Sequence, residues 1–221
     1  AYALLILSHH TTTLMFTPFL VAYVLFLVWK VPAQNGSVWG ARLRLAVRAA
    51  LAGLLALGLS AAYWMPMIAE RGYIVQEQWT RATYNYEKQF VYPFQFLDPF
   101  WDYGYAVEGP EDGMPLQLGV LPLTLALAAL VVSCQSQAAG RESSDNSRQP
   151  LIFWALATLA ALFFMTSLSL PVWRVMPLMH LLQFPWRFLA ITAVSLALLG
   201  GRIPLVMEDF GANGAWGALL P

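Results

Sequence analysis

The stretch Thr11-Thr12-Thr13-Leu14-Met15-Phe16-Thr17-Pro18-Phe19-Leu20-Val21-Ala22-Tyr23-Val24-Leu25-Phe26-Leu27-Val28-Trp29 contains no charged side chain. A helix rises about 1.5 Å per residue, so roughly 20 apolar residues cross the hydrocarbon layer of a bilayer. No water reaches a backbone donor at that depth, so the segment must pair its own N–H groups and form a helix. Leu45 to Met67 repeats the pattern, with Gly53 and Gly58 as points of close helix approach. Leu116 to Cys134, Leu151 to Leu170 and Phe184 to about Leu199 repeat it again. The last is short unless it runs on through Arg202, whose long stem can snorkel. The predicted fold class is therefore all-α and integral to the membrane, with about five transmembrane helices.

Composition points the same way. Of 221 residues, 59% are hydrophobic and 11% charged, and the mean hydropathy is +0.59. Soluble domains carry about 25% charge, so this chain reads neither as disordered nor as a soluble globular enzyme. Twelve basic and twelve acidic residues cancel, which leaves no basic face for nucleic acid. One cysteine, Cys134, excludes an internal disulfide framework and a multi-cysteine metal site. Three histidines without acidic neighbours suggest no metal centre, and no cofactor is called for. Ala1 to Leu7 is apolar with no charged residue before it, unlike a signal peptide. It reads as the end of a span begun upstream, and residues 1–221 as a fragment of a larger polytopic protein.

Basic residues set the orientation. Lys30, Arg42, Arg44 and Arg48 follow the first span with no acid among them, and Arg141, Arg148 and Arg202 join them inside. Arg71, Arg81, Lys88, Arg174 and Arg187 fall on the other side. Residues 68–114, between spans two and three, then form an extracytoplasmic loop. It holds twelve aromatics, from Tyr73 to Tyr105, and eight carboxylates against three cations. Such a segment is too apolar for a linker and should pack as short helices and turns broken at Pro93, Pro99 and Gly104. Its rings suit either stacking on sugars or an interfacial aromatic belt. The turn Gly109-Pro110-Glu111-Asp112-Gly113 reads as solvated rather than metal-binding.

Polar residues near the outer ends of the spans are the candidate site. His9 and His10 open span one among Ser8 and Thr11 to Thr13, which supply several capping candidates; the histidine pair can hold a phosphate, relay a proton, or simply make interfacial hydrogen bonds. In Met179-His180-Leu181-Leu182-Gln183-Phe184-Pro185-Trp186-Arg187-Phe188, Pro185 suits a first helical turn. Arg187 then sits at a positive helix end and offers a two-point grip on an anion. Arg174 and His180 are expected on the same side. The alternative for Arg187 is a counterion for Glu70.

At these residues the chain resembles bacterial polytopic membrane proteins with a 6-pyruvoyl-tetrahydropterin-synthase-related membrane domain, distant relatives of GT-C glycosyltransferases. Leu7-Ser8-His9-His10 is similar to their "LSHN" element, with His10 in place of Asn. Tyr63-Trp64-Met65-Pro66 with Glu70-Arg71-Gly72-Tyr73 is similar to their "WLP…ERDY" element. Asp112-Gly113-Met114, Gln117-Leu118-Gly119 and Gln183-Phe184-Pro185-Trp186-Arg187-Phe188 also resemble theirs. The resemblance implies a multi-pass protein of the bacterial inner membrane, transferring sugar from a polyprenyl-phosphate donor. Arg187, His180, His9, His10 and Arg174 would then bind the lipid-linked phosphate. The family's acidic base lies in an outward loop that would precede Ala1, so no catalytic residue is assigned. The competing expectation is a non-enzymatic carrier, or a scaffold subunit with other membrane proteins as partners. An ion-coupled transporter is disfavoured, because spans two to four lack a central acid.

Overall fold

The computed structural model describes residues 1–32, 37–73, 75, 84–99, 101–111, 113–138 and 145–203, without the side chains of 136–138 and 145–149. Among these residues every regular element is helical: α1 (Tyr2–Ser8), α2 (His10–Lys30), α3 (Val38–Leu59), α4 (Ala61–Ala69), α5 (Val120–Ala138), α6 (Asp145–Met165), α7 (Leu170–Val175) and α8 (Leu189–Gly200). Short 3-10 turns lie between α4 and α5 and from the end of α6 to the start of α8. The chain divides into two compact units, residues 1–85 with 177–183, and residues 86–176 with 184–221.

In the first unit, α1 stops where His9 turns extended (φ −162°), and α2 starts at the next residue. Tyr2 Oη and Thr17 Oγ1 share a 2.6 Å hydrogen bond that ties the two helices. Within α2, Thr13 Oγ1 donates to the His9 carbonyl and Thr17 Oγ1 to the Thr13 carbonyl, so the threonines find partners on their own helix. This helix is long and apolar enough to cross a membrane.

The stretch expected as a straight second span is instead a bent pair: α3 and α4 meet at 69°. The break is at Ser60, which is fully buried. Its hydroxyl reaches back to the Ala56 carbonyl at 2.8 Å and the Leu57 carbonyl at 3.2 Å, and the Trp64 indole donates to the Leu57 carbonyl at 2.9 Å. Side chains thus satisfy the Leu57 carbonyl at the bend, which is the condition for breaking a helix away from water.

In the second unit, α8 packs on both α6 and α5. Ala126, Leu151, Leu196 and Leu199 form the core, with Leu118, Leu123, Leu130 and Trp154 against them. The third expected span begins at Val120 rather than Leu116, because Gly119 takes a positive φ (+83°) just ahead of α5. The fourth is broken like the second, at 85°. α6 ends at Met165, Thr166 is extended, and the chain turns through Ser167–Ser169 into α7. The carbonyls of its last three residues are taken. Thr166 Oγ1 donates to Phe163, Ser169 Oγ and Trp173 Nε1 to Phe164, and Val91 N to Met165. The apolar helices Val120–Gln135 and Pro185–Gly200 are shorter than a full span. The described residues therefore hold one helix of spanning length, or up to three spans when each bent pair is taken as one.

The aromatic-rich segment is folded where it is described. Residues 76–83, with Trp79 and Arg81, lie outside the described residues, as do Phe100 and Asp112. Tyr86 stacks on Trp173 with centroids 5.1 Å apart, and Phe90 meets the same indole edge-on. Leu118 N donates to the Phe96 carbonyl, and Gln95 Nε2 to the Pro110 carbonyl. Gly104 N donates to the Gly113 carbonyl at 2.9 Å, an approach so close that a Cβ on Gly104 would lie 2.5 Å from that oxygen. Backbone cannot yield as a side-chain tip would. Gly104→Ala is therefore expected to cost about 1–3 kcal/mol, the usual range for overpacking. Thermal unfolding of the variant in detergent checks this, and an unchanged midpoint would contradict it.

Candidate functional site

The five candidate residues fall in different units. His9, His10 and His180 belong to the first; Arg174 and Arg187 belong to the second.

His9 is the N-cap of α2. Its Nδ1 accepts the Thr12 backbone N–H at 3.1 Å and lies 3.0 Å from Thr12 Oγ1. An extended residue with an acceptor side chain ahead of a helix satisfies one of the helix's orphan donors. With Nδ1 accepting, the neutral ring carries its hydrogen on Nε2, leaving that edge to donate. His10 stacks nearly parallel on His9, with centroids 5.9 Å apart. Its Nδ1 is 3.3 Å from the hydroxyl of Tyr63, which links the start of α2 to α4. Both imidazoles are exposed. The sequence reading looked to Ser8 and the threonines for the cap of this helix, whereas His9 supplies it.

His180 is exposed on a 3-10 turn, Met179–Leu182, whose neighbours Met179 and Leu182 are buried. Leu178 (φ 69°) and Gln183 (φ 62°) flank the turn in left-handed backbone. Such positions are strained for residues with side chains and persist only where packing enforces them. Here the buried Met179 and Leu182 supply that packing.

Arg174 is engaged. Its Nε donates to Glu87 Oε1 at 3.0 Å, with both side chains substantially exposed. Such pairs contribute about 0–1 kcal/mol, so exchange of Glu87 for another anion is energetically cheap. The pair sits beside Tyr86, whose hydroxyl is pushed above the ordinary tyrosine value, first by burial, then by Glu87, with Arg174 opposing. A raised value means that the fold favours the neutral phenol. That stabilisation is complete below pH about 10 and is lost as pH rises through the folded value. Stability should therefore fall at alkaline pH, and Tyr86→Phe should flatten the fall; an unflattened profile would contradict this.

Arg187 is half-buried in the 3-10 turn Pro185–Phe188, which runs directly into α8. Pro185 occupies the first turn as expected, and Arg187 N donates to the Phe184 carbonyl at 3.1 Å. The guanidinium carbon lies 5.0 Å from the Phe184 ring centroid, and Phe184 stacks on Trp186 at 5.2 Å. At that distance the negative face of the ring attracts the guanidinium.

Sequence reasoning missed three partners. Phe184 was readable, since a spacing of three places it beneath Arg187 in a helical turn. Tyr63 stands in a quoted motif, but its pairing with His10 spans 53 residues. Glu87 pairs with Arg174 across 87 residues, and no local signal announces it. Among the described residues no three His, Cys, Asp or Glu side chains converge as a metal site would require. No family model, curated protein or solved structure matches this chain.

Proposed function

We propose that this chain is part of a multi-pass protein of the bacterial inner membrane that binds a polyprenyl-phosphate-linked sugar, as a GT-C-like glycosyltransferase does. The observation that carries the reading is Arg187: a half-buried guanidinium held over Phe184 at the first turn of an apolar helix. Lipid-linked donors place a phosphate at the level where such a helix emerges, with the polyprenyl chain below and the sugar above. The helix end and the guanidinium act on the same anion, in surroundings where water screens less.

The membrane part of the reading has its own support. Leu20, Val21 and Leu25 on α2 and Leu51, Leu54, Leu55 and Leu59 on α3 are exposed. Apolar surface so continuous is rare against water and ordinary against lipid. We count five passes: α2, the two bent pairs, and the two shorter helices accommodated by local thinning of the bilayer or snorkelling of flanking residues.

A second reading, a non-catalytic carrier or scaffold subunit, is favoured by one observation. Three of the five candidate residues already have structural partners, His9 as a helix cap, His10 with Tyr63 and Arg174 with Glu87. Binding separates the readings at their shared step. The purified chain should bind undecaprenyl phosphate and discriminate against undecaprenol, which keeps the tail and lacks the phosphate. Equal binding of the two would remove phosphate recognition, and the glycosyl-donor reading with it.

A further inference from the structure

The four cations Lys30, Arg42, Arg44 and Arg48 stand in a stretch, residues 1–69, that holds no acidic residue. Among the described residues none of the four forms an ion pair. They divide into two sets. Arg42 is internal: its Nη2 donates to the Trp29 carbonyl at 2.6 Å, and its guanidinium carbon lies 5.8 Å from the centre of the Trp39 ring. It fastens the start of α3 to the end of α2. Lys30 lies 4.3 Å over the ring of Trp29. Trp29 and Trp39 are 62% and 74% exposed, large indoles of the kind that collect at a membrane–water interface.

Arg44 and Arg48 are different. Both are exposed, and they stand four residues apart, one turn, on one face of α3. Like charges at that spacing destabilise a helix unless an anion comes between them. Beside them run the exposed apolar side chains Leu43, Val47 and Leu51. The face thus offers two guanidinium groups for a phosphodiester and an apolar strip for the acyl chain attached to it. We infer that Arg44 and Arg48 form a binding place for the headgroup of an anionic phospholipid, bordered by the tryptophan–lysine collar at the end of α2. The inference rests on the membrane part of the function proposed above and not on Arg187.

Native mass spectrometry of the full chain released from detergent tests it, with phosphatidylglycerol and phosphatidylcholine of identical acyl chains as probes. Wild type should retain phosphatidylglycerol in preference, with the preference shrinking as salt rises. Each cation near the headgroup layer contributes about a factor of five, so Arg44→Gln with Arg48→Gln should weaken phosphatidylglycerol binding about twentyfold or more. Arg44→Lys with Arg48→Lys should keep most of it, since charge is retained, and this guards against loss by misfolding. Equal retention of the two lipids by wild type would overturn the inference and leave the membrane reading standing. An undiminished preference in the glutamine variant would overturn it as well. Retention of neither lipid would overturn both.

Discussion

Replacing Trp173 with alanine should destabilise the second unit by about 3–5 kcal/mol, the range for emptying a buried aromatic site. The indole is 2% exposed. Tyr86 lies flat against it, and Phe90 and Phe188 meet it edge-on. Phe188 in turn stacks on Phe164 at 5.2 Å. Trp173 therefore joins the loop segment after residue 85 to the ends of α6 and α8 in one aromatic cluster. Its Nε1 also donates to the Phe164 carbonyl at 3.1 Å, one of the carbonyls freed by the 85° bend. Alanine removes the ring contacts and that donor together. Trp173→Phe keeps most of the packing and loses the donor, so about 1 kcal/mol is expected, with Ser169 Oγ still bonded to the same oxygen. Denaturant or thermal unfolding in detergent reads both. A loss under 1 kcal/mol for alanine would mean that the cluster does not hold the loop.

Parts of this architecture were open to reading from the chain, for reasons that differ element by element. α2 was legible within a residue at each end, because hydropathy over a full span is a strong signal and a capping residue precedes it. The apolar cores of the other four stretches were equally plain. Their shapes were not. A serine such as Ser60 is unremarkable inside an apolar run, and whether it caps a bend depends on whether Trp64 can reach a freed carbonyl. The break after Met165 had a visible cue in Thr166-Ser167-Leu168-Ser169-Leu170-Pro171, which averaging over a span-length window concealed. Proline cannot continue the ladder of the helix before it, and the small hydroxyl residues compete for carbonyls. Of the candidate site, Arg187 and its helix start were legible because Pro185 and the spacing to Phe184 are local. The engagement of Arg174 by Glu87 depends on contacts between distant segments and could only be seen in the fold.

Arg187→Ala should lower the affinity for undecaprenyl phosphate about ten- to hundredfold. This is the usual range for losing hydrogen bonds to a charged group, about 1.5–3 kcal/mol, at 1.4 kcal/mol per tenfold. Arg187→Lys should fall nearly as far. Lysine restores the charge but neither the planar fork nor its seating on Phe184. The pattern across the two variants carries the meaning. A purely electrostatic site would be rescued by lysine, and a purely structural arginine would lower stability in both variants without selective loss of phosphate binding. Stability therefore has to be measured beside affinity, on protein that remains folded. The most direct measurement is the affinity of undecaprenyl phosphate for wild type, Arg187→Lys and folded Arg187→Ala, each referred to undecaprenol. The account predicts tight, phosphate-dependent binding to wild type and its loss in both variants; equal affinity for wild type and Arg187→Ala would contradict it.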